Sequence, residues 1–252
     1  MTACHKPAKG PEVTHVYPSS DSLPTNLLRF YVQFSEPMKT VGNLEKIRLI
    51  DQEGQTLENT IFNNVYELWD PSQQQLTIIL DPARVKTGLD AHETLGRALE
   101  VGKTYRLVIN GLENTNHHAQ RVAFEKTFHT IPADTVSPDI AKWQPFFPNA
   151  QSHDPISIHF SDIIDQHSLQ TRIIVVDDHQ QAIPGQVYLS DQERHWAFHP
   201  EQAWTSGQYH IYIHARLADP AGNNLNGLFD HPIGSLRYES EEEVLEIPFR
   251  IE

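Results

Sequence analysis

Cysteine is almost missing from this chain: Cys4 is the single one in 252 residues. That excludes an intramolecular disulfide and any zinc or iron–sulfur site built from several cysteines. Positive charge is also scarce. Lys and Arg number 19 against 33 Asp and Glu, a net charge of −14 with histidine counted neutral. Such a surface repels a phosphate backbone, so nucleic acid is not an expected partner. No apolar run approaches the roughly 18 residues that a membrane-crossing helix needs, so no transmembrane span is expected. Motifs of catalysis are missing too. There is no Gly-x-Ser-x-Gly elbow, no His-Glu-x-x-His helix and no phosphate loop, and Cys4 has no partnered base nearby. The chain is therefore expected not to be an enzyme, with no catalytic residue and no cofactor.

What is present is a repeated order of short alternating segments. Leu28, Phe30, Val32 and Phe34 alternate with polar neighbours in the first copy, as do Ile156, Ile158 and Phe160 in the second. Period-two alternation is the mark of a strand with one buried face. Downstream, Leu76 to Pro82 parallels His195 to Pro200, each a strand ending at proline. Gly102 to Ile109 then parallels Gly207 to Ile213, each with a tyrosine near its start, Tyr105 and Tyr209. Such a tyrosine resembles the tyrosine corner of sandwich folds, where the hydroxyl ties the start of a late strand to nearby backbone. Final strands run from Phe124 to Thr130 and from Val244 to Ile251. The spacing between copies shrinks from the paired phenylalanines to the paired tyrosines, so the first copy carries the longer loop before its tyrosine.

About seven short strands per copy, with no sustained helical period, predict an all-β protein of two tandem antiparallel β-sandwiches. The expected division is an N-terminal tether at residues 1–10, a first sandwich at 11–131, a linker at 132–137 and a second sandwich at 138–252. The linker region contains Pro132 and borders Pro138, which makes it semi-rigid.

Phe34-Ser35-Glu36-Pro37-Met38 and the turn Asp219-Pro220-Ala221-Gly222-Asn223-Asn224-Leu225 resemble the opening and closing signatures of bacterial Ig-like domains of the SbsA type. The resemblance spans about residues 11–252 and is better in the second copy; the first has only Leu112-Glu113-Asn114-Thr115-Asn116 at the closing turn. It implies immunoglobulin-like sandwiches that serve as spacers, adhesive modules or accessory units of surface proteins, and it carries no catalytic residues over. The implied role is a non-catalytic cell-envelope module for binding, scaffolding or adhesion, with an envelope protein or a glycan as partner. The small residues before Cys4 are similar to the end of a bacterial lipoprotein signal. That implies a precursor with a signal sequence, lipidation of Cys4 and an address in the bacterial cell envelope, anchored by lipid or periplasmic.

Two groups of residues compete as sites. The loop Asp81 to Gly102 is long for a bare connection and carries Arg84, Lys86, His92 and Arg97, a basic patch in an acidic chain. Long loops commonly carry function, and with Trp69 upstream the group Trp69, Arg84, Lys86 and Arg97 is the expected anion or carbohydrate site. The other group comes from the 15 histidines. Alternation puts His210, Tyr212 and His214 on the face opposite Tyr209, Ile211 and Ile213. His210 and His214 are thus the candidate ligands of a periplasmic copper- or zinc-binding alternative. Residues four apart on a strand lie about 13 Å from each other, so a shared ion needs further ligands from a neighbouring strand. His195 and His199 repeat the same spacing. Asp219, Asn223 and Asn224 offer oxygens to calcium, but turn chemistry alone accounts for that sequence.

Overall fold

The structure is a computed structural model that describes residues 10–63, 66–231 and 244–252. Two compact units emerge. The first runs through Val85 and resumes at Leu89–Ala133, and the second holds Lys86–Gly88 and Asp134–Glu252.

In the first unit the strands are β1 (Val13–Tyr17), β2 (Ser22–Pro24), β3 (Arg29–Phe34), β4 (Ile47–Ile50), β5 (Leu68–Trp69), β6 (Gln75–Ile79), β7 (Thr104–Ile109) and β8 (Phe124–Ile131). They form two four-stranded sheets, β1-β3-β6-β5 and β2-β8-β7-β4. The second unit has β9 (Gln144–Phe146), β10 (Ile156–His159), β11 (Ile173–Asp177), β12 (Gly185–Ser190), β13 (His195–Pro200), β14 (Gly207–His214) and β15 (Val244–Ile251). Its sheets are β9-β10-β13-β12 and β11-β14-β15. Strand for strand the second order reproduces the first, apart from β2. Both units are immunoglobulin-like β-sandwiches. One ladder departs from the antiparallel expectation: β2 runs parallel to β8, pairing Ser22 with His129 and Leu23 with Thr130.

Burial follows the alternation. Phe30 and Val32 are fully buried and Leu28 and Phe34 nearly so, as are Ile156, Ile158 and Phe160 in the second unit. Each such side chain removed from water contributes about 1.5–3 kcal/mol. In the first core Phe128 lies between Phe30 and Tyr105, with ring centroids 5.6 and 5.9 Å away. The second core is richer in tryptophan, and two of its buried indole N–H groups find backbone acceptors. Trp196 donates to the Leu169 carbonyl at 3.1 Å and Trp204 to the Asp154 carbonyl at 2.8 Å, which removes the cost of burying an unpaired donor.

The long loop of the first unit folds into two short helices, α1 (Pro82–Val85) and α2 (Asp90–Leu95). Val85 and Leu99 are both buried, and Leu99 belongs to the first core. Much of the extra length therefore serves as apolar cover.

Both tyrosine corners form. The Tyr105 hydroxyl accepts the Glu100 backbone N–H at 3.0 Å, and the Tyr209 hydroxyl donates to the Thr205 carbonyl at 3.1 Å. Replacing Tyr105 by Phe leaves the Glu100 N–H without that acceptor. Tyr105→Phe and Tyr209→Phe should each lower unfolding stability by about 1 kcal/mol, measured by urea denaturation. An unchanged midpoint in both variants would show that the corners contribute nothing.

Candidate functional site

The four residues expected at the ligand site do not form one group, although Arg84 and Arg97 meet through the Arg97 carbonyl. Arg84 is committed to backbone carbonyls of its own loop and of residues 58 and 59: Nε donates to the Gly96 carbonyl at 3.0 Å, and the two Nη groups reach the carbonyls of Glu58, Asn59, Leu95 and Arg97 at 3.2–3.5 Å. A planar guanidinium with five donors suits such a cluster of carbonyls. Lys86 groups with the second unit, where its ammonium lies 5.7 Å from the centroid of the Phe229 ring. Trp69 sits elsewhere, at the end of the edge strand β5.

There Trp69 lines an open groove of about 560 Å³ with Val41, Tyr66, Glu67, Asp70 and Pro71 among its walls. The groove is built from the strand outward. Residues 67 and 69 alternate onto one side of the edge strand, and Glu67 Oε2 accepts the Trp69 indole N–H at 3.0 Å. The opposite wall is the loop that follows β3. Asn43, itself buried, donates through Nδ2 to Glu67 at 2.6 Å and to the Lys39 carbonyl at 2.7 Å. Glu67 also accepts the backbone N–H groups of Asn43 and Leu44. One carboxylate thus rivets the loop to the strand and fixes the indole plane, while Phe34 backs Trp69 at 5.6 Å. Partial burial pushes the Glu67 carboxyl up, but the hydrogen bonds from Asn43, Trp69 and the two backbone groups outweigh it and hold its pKa below the ordinary value. Asp70 closes the far end with a tight turn, accepting the N–H groups of Ser72, Gln74 and Gln75. Tyr66 and Val41 are largely exposed at the rim, 78% and 82%. Among the described residues no lysine or arginine lines this groove.

Glu67 was not identified from the sequence. The one local signal for it is Glu67-x-Trp69, a carboxylate two positions before an aromatic on a strand; its partners at 43 and 44 lie too far along the chain to be read from sequence.

His210 and His214 lie on the outer face of β14, opposite the buried Tyr209, Ile211 and Ile213. His210 Nδ1 is hydrogen-bonded to Glu246 across the β14–β15 ladder. His214 Nδ1 accepts the Arg216 backbone N–H at 3.0 Å. Among the described residues no group of three or more His, Cys, Asp or Glu is placed to hold a metal ion. Cys4 lies outside the described residues. No described helix is long and apolar enough to cross a membrane.

A second, smaller cavity of about 130 Å³ in the second unit is lined by Asp134, Asp162 and Asp219 with Trp143 and Pro138. Asp219 is 2% exposed and organises the closing turn, accepting the Asn223 backbone N–H at 3.0 Å and its Nδ2 at 2.9 Å. Burial, reinforced by the charge of Asp134, pushes the Asp219 carboxyl up to about 8 against those hydrogen bonds. Asp134 is raised as well, by burial and by the charge of Asp162.

Two outcomes follow from this geometry. Glu67→Gln puts an amide N–H₂ where an acceptor is needed, and should cost about 1 kcal/mol of stability and shift Trp69 fluorescence to the red; an unchanged spectrum would count against the rivet. For Asp219 the folded pKa lies above the unfolded one. Its contribution is complete below about pH 4 and is lost as pH rises to about 8. Asp219→Asn should therefore be more stable than the parent at pH 8.5, by on the order of 2 kcal/mol, and lose that advantage at pH 4. Parallel urea curves for the two proteins across this range would contradict the shift.

Comparison with known proteins places the second unit first. Residues 134–234 match the family model described as bacterial Ig-like domain. No curated protein sequence matches the chain significantly. Among solved structures, the S-layer protein SbsC is 10% identical with a TM-score of 0.34, the alignment covering 96% of this chain and 41% of that one. This chain thus spans about two fifths of that structure. Alpha-2-macroglobulin from Escherichia coli, over domains MG0-NIE-MG1, is 10% identical with a TM-score of 0.30, covering 97% and 72%. The Ig1-2 module of the Drosophila receptor protein tyrosine phosphatase DLAR is 14% identical with a TM-score of 0.26, covering 81% and 90%.

Proposed function

We propose that this chain is a non-catalytic cell-envelope module whose first sandwich holds a neutral glycan in the groove at Trp69. In this reading residues 11–131 and 138–252 are the two domains, joined at 132–137, and Cys4 tethers them to a bacterial membrane through lipid. The bacterial Ig-like match of residues 134–234 supports the envelope assignment.

One observation carries the ligand class: the indole of Trp69 is fixed before any ligand arrives, by Glu67 on its N–H and Phe34 behind it. A side chain already immobilised has little rotamer entropy left to lose on binding. Aromatic faces pack against the C–H face of a sugar ring, and a carboxylate such as that of Glu45 in the lining accepts its hydroxyls. With acidic and, among the described residues, no basic side chains in the lining, an anionic ligand is repelled and a neutral one favoured.

The test is tryptophan fluorescence titration with a panel of neutral and acidic oligosaccharides. A neutral member should bind, and Trp69→Ala should weaken it at least about tenfold, or about 1.4 kcal/mol, with the circular dichroism spectrum intact. Selective binding of acidic glycans that survives Trp69→Ala and is lost in Arg97→Ala would return the site to the basic loop.

A further inference from the structure

The outer face of the sheet β9-β10-β13-β12 carries an arrangement that neither the glycan groove nor the His210 strand uses. Antiparallel pairing sets His159 of β10 directly opposite His195 of β13, and His195 directly opposite Ser190 of β12. Ile158 and Trp196, their chain neighbours, are fully buried. Alternation therefore turns both imidazoles outward on adjacent strands. Their ring centroids are 4.2 Å apart with an interplanar angle of 28°. Ser190 Oγ lies 2.8 Å from His195 Nδ1.

We propose that His159 and His195 form a cross-strand site for a divalent first-row transition metal, copper(II) above all. Two imidazoles stacked across one rung of a ladder, with the exposed His159 ring able to turn its nitrogen toward an ion at His195 Nε2, solve the distance problem that defeats His210 and His214, which lie on one strand about 13 Å apart. When His195 Nδ1–H donates to Ser190 Oγ, Nε2 is left with its lone pair outward. That is the usual arrangement of a ligating imidazole, whose second nitrogen is held by a hydrogen bond. Imidazole nitrogen favours copper, nickel and zinc over calcium and magnesium, and affinity for a given nitrogen site peaks at copper(II). The remaining positions are open to water, since the face is exposed.

The electrostatics agree with this placement. Partial burial, with the charge of His159 added, holds the His195 pKa below its ordinary value, against the opposing charge of Asp191. Asp191, beside Ser190 in the same turn, adds a negative charge that favours a cation. The site does not depend on the glycan reading.

The experiment uses the full chain without a histidine tag, in a Cys4→Ser background so that the thiol neither binds nor reduces copper(II). Calorimetric titration with copper(II) should give a site whose affinity falls at least about tenfold in His159→Gln and in His195→Gln, with the electron paramagnetic resonance spectrum of the parent losing nitrogen coupling in the double variant. His210→Gln with His214→Gln should leave both readouts unchanged. Ser190→Ala should weaken binding by a smaller factor. Binding that is the same in the His159 and His195 variants, or that disappears only with His210 and His214, overturns the proposal. Thermal melting of each variant confirms that the exposed substitutions leave the fold in place.

Discussion

Each sheet in this protein has a core face and an outer face, and the register that satisfies the first dictates the second. Slipping a strand by one residue would turn its apolar set to water, so the pairing is strongly specified wherever one face is buried. Ile158 must face the second core, and Trp196 beside it must reach the Leu169 carbonyl with its indole N–H. Once those two are placed, His159 and His195 have no choice but to meet on the other side. The same constraint gives Tyr209, Ile211 and Ile213 to the core and leaves His210 to find Glu246 across the ladder. Surface chemistry here is thus a consequence of core packing, set rung by rung.

Features within one strand or one turn were legible in the sequence. Alternation at Phe30, Val32 and Phe34, and at Ile156, Ile158 and Phe160, identified central strands, and Tyr105 and Tyr209 fell at their corners because the corner is local. Features that join distant segments were not legible. Glu67 acts through Asn43 and Leu44, and the indole it orients is only half of that network. The His159–His195 pair likewise needs the β10–β13 register, whereas the sequence displays only the spacing of His195 and His199 along one strand. The parallel pairing of β2 with β8 was hidden for a different reason, since three residues, Ser22 to Pro24, are too few to show a period.

The longer loop of the first unit illustrates why charge and length together are an incomplete guide to a site. Loops that cover a sandwich end need an apolar underside, and Val85 and Leu99 supply it. They also need their carbonyls satisfied, because short helices leave most of them without an internal partner. Arg84 supplies those donors at one point. A cation in a loop of exposed carbonyls therefore has a structural task before it has a ligand.

The two open sites differ in what holds their walls, and that difference bears on how they recognise a partner. At Trp69 the fixed element is a hydrogen-bonded carboxylate with its negative charge turned toward its own loop, so the indole presents an apolar plane already in position. At His159 and His195 the fixed elements are backbone pairing and the Ser190 hydroxyl on His195 Nδ1, and the exposed His159 ring keeps its side-chain rotation. A rigid apolar plane suits a ligand recognised by shape. A rotatable nitrogen donor on a rigid rung suits an ion that imposes its own bond directions, because the ion then supplies the ordering that the face lacks. A net charge of −14 works in the same direction at both places, drawing in cations and leaving neutral ligands to bind by contact.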